Sequence, residues 1–138
     1  MNILFYLKPK ATVSYLFSDF TVRQALEKME RERYTTIPVL NKDGSYAFSL
    51  SEGDILWAIK AQKDFSVKKA EELRIDTLKL YRDYKPINVN ENIENLIQIA
   101  TDQNFVPVVD DRGMFIGIVT RKDIIKDFLK KQETQTEE

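Results

Sequence analysis

The sequence predicts an α/β (α+β) fold made of two tandem β-α-β-β-α repeats, and three observations predict it. The first is internal similarity. Laying YTTIPVLNKDGSYAFSLSEGDIL (34–56) over NFVPVVDDRGMFIGIVTRKDII (104–125) puts Pro38 on Pro107, Gly44 on Gly113, Ser51 on Thr120 and Asp54 on Asp123. All four pairs share one offset of 69 (123 − 54, for example), with no gap between them. The second is periodicity: Val22, Ala25, Leu26 and Met29, and later Ile93, Leu96, Ile97 and Ala100, follow the i, i+3, i+4, i+7 spacing of a half-buried helix. The third is a pair of short apolar runs around a glycine turn in each copy, the pattern of a β-hairpin.

The elements follow in order. A short entering strand is expected near Thr12–Leu16 in the first copy and within Leu80–Val89 in the second. Thr21 and Asn92 stand immediately before the periodic runs, where an N-cap belongs. The strands IPVL and VPVVD come next, then Asn41-Lys42-Asp43-Gly44 or Asp110-Asp111-Arg112-Gly113 as turns, then SYAFSL or MFIGIV as return strands. A second helix closes each copy, carried by Ile55, Leu56 and Ile59 and by Ile124, Ile125, Phe128 and Leu129. Pro38 and Pro107 cannot donate to a ladder, so each marks an edge or an interrupted ladder, where neighbouring backbone groups are left for another partner. The expected organisation is a first domain over 9–62, a linker over 63–78 that is partly helical around Val67–Leu73, a second domain over 79–131, and a disordered tail over 132–138.

Composition narrows the function. The 138 residues carry 21 basic and 22 acidic side chains, a net charge of −1, so no broad basic field invites nucleic acid or anionic lipid. There is no cysteine and no histidine, which removes thiolate chemistry, the usual zinc ligands and every triad built on imidazole. No catalytic residue and no metal ligand is assigned. The opening MNILFYLKPKATVSYLF is interrupted by Lys8 and Lys10 and lacks a small-residue cleavage site, so the expectation is a soluble cytoplasmic chain.

The chemistry concentrates at Thr120-Arg121-Lys122-Asp123. Read as a cap, the threonine hydroxyl satisfies a first-turn N–H and the acidic residue three places on completes a near capping box. Read as a grip, the helix start and hydroxyl suit phosphate, while a carboxylate that only accepts suits the two hydroxyls of a ribose. Arg121 and Lys122 at the positive end of a helix make better sense if an anion visits. Ser51-Glu52-Gly53-Asp54 repeats the pattern without the basic pair.

Two copies of h-P-V-h, a glycine turn and h-[ST]-x-x-D opening a helix resemble the cystathionine β-synthase (CBS) domain, here as a stand-alone tandem pair (Bateman module) over about residues 9–131. The resemblance implies pseudo-twofold symmetry, a disc-like homodimer joined through helices, and a non-catalytic regulatory module. It implies an adenosine-containing ligand (AMP, ADP, ATP, S-adenosylmethionine or a cyclic dinucleotide), no required cofactor, and an unidentified regulated partner. Carried onto this chain, one cleft combines Thr120, Arg121 and Asp123 with Ala11, Thr12, Tyr34, Thr35 and Thr36. The other combines Ser51 and Asp54 with Arg82, Asp83, Asn104, Phe105 and Val106. Phe48 stands where the family usually has the glycine found as Gly117, and a phenyl ring there would partly fill the first cleft. The competing reading is a structural or protein-interaction module whose clefts are vestigial.

Overall fold

The computed structural model describes residues 2–62, 64 and 66–137, with side chains described as far as Thr134. In chain order the elements are β1 (Lys8–Pro9), β2 (Leu16–Phe17), α1 (Val22–Glu32), β3 (Thr36–Leu40), β4 (Tyr46–Ser51), α2 (Glu52–Ala61), α3 (Val67–Glu72), β5 (Ile87–Asn88), α4 (Ile93–Ala100), β6 (Phe105–Val109), β7 (Phe115–Thr120) and α5 (Arg121–Glu137). They gather into two compact units, Ser14–Asp83 on one hand and Met1–Val13 with Tyr84–Glu138 on the other. The division by contacts therefore differs from the division by repeat. The first thirteen residues join the second repeat, and the segment between the repeats stays with the first.

The unit Ser14–Asp83 holds a sheet of order β2-β3-β4, with β2 parallel and β4 antiparallel to β3. Its core is Leu16, Val22, Ala25, Met29, Ile37, Val39, Leu50, Ile55, Ala70 and Ile75. Helix α1 forms as its cap predicts: Thr21 and Gln24 make a reciprocal capping box, and Arg33 closes the helix in the left-handed conformation. The intervening segment contributes α3, capped by Ser66, and the buried Ala70 and Ile75.

The other unit has sheet order β1-β7-β6-β5, with β5 parallel to β6 and two antiparallel pairings, β6 with β7 and β7 with β1. Ile3, Tyr6, Ile87, Leu96, Ala100, Val106, Val108, Val119 and Ile124 form its core. Asn92 caps α4 through the Asn95 N–H. The tail, whose composition predicts fraying, continues α5 to Glu137. Lys, Gln and Glu are good helix formers and no Gly or Pro intervenes, so nothing local stops the helix.

Both prolines sit in central strands, and the interrupted ladder is the operative half of that expectation. β2 and β5 pair only with the residues just past Pro38 and Pro107, namely Val39–Leu40 and Val108–Val109. Each strand also shifts register at that same place. The return turns match in both copies, with Gly44 at φ 92° and Gly113 at φ 78°, each donating its N–H to the carbonyl three residues back.

One position separates the copies. Pro9 of β1 lies opposite Gly117 of β7, and a Cβ at 117 would stand 2.1 Å from the Lys8 carbonyl oxygen. The counterpart strand β4 pairs only with β3, so Phe48 meets no such constraint and packs on the core of its own unit. The glycine therefore admits a backbone, and the phenyl ring serves packing. Beyond β1, Ile3 and Tyr6 are buried, and the Tyr6 hydroxyl donates to Asp127 Oδ2 at 2.5 Å, tying the N-terminus to α5. Burial, then the hydrogen bond to Asp127, push the Tyr6 hydroxyl up to about 12.

Three outcomes follow from this packing. Gly117→Ala should lower stability by about 3 kcal/mol. Gly53→Ala, whose new Cβ would meet only Ser51 Oγ at 3.6 Å, should raise it by about 0.5–1 kcal/mol; urea unfolding of both variants checks the pair. Because the folded chain holds the Tyr6 proton more tightly than the unfolded chain, its contribution is complete below the ordinary value of 10.0 and is lost as pH rises towards about 12. Tyr6→Phe should flatten the fall in stability across that window, read by denaturant midpoints at stepped pH.

Candidate functional site

Each repeat brings its return strand directly into a helix, and the same backbone contact fixes both junctions. The Glu52 N–H donates to the Thr35 carbonyl and the Arg121 N–H to the Asn104 carbonyl, each at 2.9 Å. The residue before each proline strand thus receives the first helical amide. Thr36 lies opposite Ser51, and Phe105 opposite Thr120, in the antiparallel register.

The two junctions differ in what their carboxylates do. In the first repeat, Ser51 Oγ accepts from the Asp54 N–H (3.1 Å) and Asp54 Oδ2 accepts from the Ser51 N–H (2.9 Å), a complete capping box. The other oxygen, Oδ1, accepts from the Tyr81 N–H at 2.8 Å, and Asp54 is 1% exposed. In the second repeat, Thr120 Oγ1 accepts from the Asp123 N–H (3.2 Å), and Asp123 Oδ2 reaches Lys8 Nζ at 3.5 Å with its side chain 33% exposed. Among the described residues the Asp123 carboxylate pairs with Lys8. The helix-cap and grip readings are therefore split between the copies: Asp54 is a cap, and Asp123 leaves its carboxylate towards solvent beside a cation.

The remaining residues expected at the clefts are divided between the two units. Ala11 and Thr12 lie in the exposed 3-10 turn after β1, which rests against β7, so they share a unit with Thr120 and Asp123. Thr12 Oγ1 donates back to the Pro9 carbonyl. The Arg121 guanidinium donates to Asn104 Oδ1 (2.8 Å) and the Thr101 carbonyl (3.3 Å). Lys122 is exposed. Phe105 and Val106 are buried, so only their backbone can face a ligand, and the Phe105 ring packs on Tyr84. In the other unit Tyr34 packs on the core and its hydroxyl accepts from the Ser14 N–H. Thr35, Arg82 and Asp83 are exposed and Thr36 is half-buried. Trp57 is exposed, 6.4 Å from the Tyr81 ring, with Lys60 Nζ over its face.

Two features escape sequence reading. Lys8, the ion partner of Asp123, carries no motif; its only trace is Gly117, which signals that a backbone passes close by. Gln103 is the other. It is buried, accepts from the Lys85 N–H and donates to the carbonyls of Lys85 and Phe105, so one side chain clips the segment before β5 to the start of β6. The equivalent residue in the first repeat is Tyr34, whose hydroxyl holds Ser14 in a comparable way.

The fold and its junctions define a tandem α/β repeat protein with one Ser/Thr-x-x-Asp helix start per copy. The CBS domain family matches residues 9–61 and 80–130, and the chain belongs to that family. A CBS domain-containing protein of Dictyostelium discoideum is 24% identical over 122 residues, covering 83% of each chain. The Listeria monocytogenes CbpB protein, solved in complex with c-di-AMP, superposes with a TM-score of 0.84 at 23% identity, covering 96% of this chain and 98% of that one. CBSX2, solved in complex with AMP, gives a TM-score of 0.74 at 20% identity, covering 95% and 98%. Among the described residues no helix is long and apolar enough to cross a membrane, and no three acidic side chains gather as a metal cage.

Replacing Gln103 by Leu should leave the Lys85 N–H and two carbonyls without their partner. The expected cost is about 1–3 kcal/mol, with faster amide exchange at Lys85 as the local readout.

Proposed function

We propose that this chain is a non-catalytic regulatory module that binds an adenosine-containing nucleotide and reports its occupancy to a partner protein. The observation that carries the reading is the second junction. A carboxylate uncommitted to its own helix cap stands at a helix start beside Lys8, with the 3-10 turn of Ala11 and Thr12 in the same unit. The chemistry suits a nucleotide. Asp123 accepts from the ribose hydroxyls, while the helix N-terminus, Thr120 and Lys8 favour the phosphate. Arg121 shapes the loop before β6 and leaves direct phosphate contact to Lys8 and Lys122. The neighbours solved with c-di-AMP and AMP support this ligand class. Regulation works by linkage: a ligand that prefers one arrangement of the chain shifts the population towards it. The cytoplasm, where such nucleotides are plentiful, is the proposed compartment.

A second reading, assembly, has its own observation. Helices α1 and α2 leave an open apolar groove lined by Leu26, Met29, Tyr34, Ile55, Leu56 and Ile59. With Trp57 it suits the helix-mediated homodimer that the family resemblance implies.

A thermal-shift panel of AMP, ADP, ATP, S-adenosylmethionine and c-di-AMP tests the main reading. At about a hundred times its dissociation constant, a true ligand stabilises by about 2.7 kcal/mol. Asp123→Ala should abolish that shift and move the ligand-free midpoint little, since an exposed ion pair contributes about 1 kcal/mol or less. No shift with any nucleotide at millimolar concentration would leave assembly as the function.

A further inference from the structure

The two repeats carry the same letters at their helix starts and use them differently, and that difference sets a stoichiometry. Both oxygens of Asp54 are filled from within its own unit. Oδ2 takes the Ser51 N–H and Oδ1 takes the Tyr81 N–H, and the carboxylate is sealed at 1% exposure. A ribose diol presenting its hydroxyls to Asp54 would have to displace Tyr81, reopen the capping box, and leave two amide donors without acceptors. Asp123 faces no such competition, since the cap of α5 uses the Thr120 hydroxyl and the lysine pairing of its carboxylate is open to water.

We propose that the chain takes one nucleotide, at Thr120 and Asp123, and that Asp54 is an internal staple joining the segment before Asp83 to the start of α2. The first half rests on the nucleotide reading above; the second half stands without it. The staple has a visible product. By holding the Tyr81 backbone it sets the Tyr81 ring beside Trp57, with Lys60 Nζ and Lys79 Nζ each 5.3 Å from the ring it covers. Two exposed aromatic rings and two cations are thereby fixed on the unit Ser14–Asp83.

Calorimetric titration of the full chain with AMP, and separately with c-di-AMP, gives the stoichiometry, and amide exchange followed by NMR reads the staple. Asn at 54 keeps the shape and offers a single acceptor oxygen. Asp54→Asn should speed exchange of the Tyr81 amide about tenfold or more and lower the ligand-free midpoint by about 5 °C, with the dissociation constant held within about twofold. Asp123→Asn should do the reverse, weakening binding about tenfold or more with Tyr81 exchange unchanged. Two AMP molecules per chain, or a tenfold loss of affinity in Asp54→Asn, would overturn the single-site half. Unchanged Tyr81 exchange in Asp54→Asn would overturn the staple, whether or not any nucleotide binds. If wild-type chain binds neither probe, the nucleotide reading falls and the exchange result alone decides the staple. Should Asp54→Asn fail to fold, Tyr81→Pro removes the stapled donor and spares the carboxylate. A lowered midpoint there supports the staple, and an unchanged one refutes it.

Discussion

The pairing of Lys8–Pro9 with β7 is the contact on which the second unit turns. Two residues of strand give little hydrogen bonding, yet they bring a lysine to Asp123, lay the 3-10 turn of Lys10–Thr12 against β7, and lead Ile3 and Tyr6 into the core. Everything follows from how closely two backbones approach. The space at Gly117 admits the Lys8 carbonyl and would admit no side chain at all. Without that approach Asp123 would have no cation beside it, and the edge of β7 would be open to pairing with another chain.

Duplication supplied two frames of one design, and the differences between them are informative. The carbonyl that receives the first helical amide, the register shift after each proline and the glycine of each turn are held in common. These are backbone features, and backbone geometry is what a hairpin running into a helix demands. The side chains diverge. Gln103 and Tyr34 hold their entering segments by different chemistry, and Asp54 and Asp123 turn one motif to different ends.

What could be read from the letters was whatever depends on near neighbours in the chain. Thr21, Asn92, Ser51 and Thr120 act as helix-start acceptors because each partner lies three residues away. The fate of a carboxylate was not legible in the same way. Asp54 is closed by an amide 27 residues along the chain, and the Arg121 guanidinium is engaged by an asparagine 17 residues back. Both are decided by tertiary placement that no local pattern encodes. The apolar positions of the closing helices also divide: Ile55 and Ile124 are buried, whereas Leu56, Ile125, Phe128 and Leu129 stay exposed. An apolar letter at helical spacing names a face, and only packing says whether that face is covered. The N-terminal strand was invisible because Lys-Pro carries no strand signature, and Gly117 was its one written trace.

The bond from Tyr6 to Asp127 spans 121 residues of sequence, which gives the chain a history as well as a shape. The unit Ser14–Asp83 is continuous, so a ribosome delivers all its parts before the second repeat exists. The other unit joins Met1–Val13 to Tyr84–Glu138 and closes only after the unit Ser14–Asp83 has been made, at the loop-closure cost that long separations carry. During that interval Ile3 and Tyr6 have no core to enter, and the edge that β1 will cover has not yet been made. The proposed sensing site therefore comes into being after the unit Ser14–Asp83, once β7 and the start of α5 have been made.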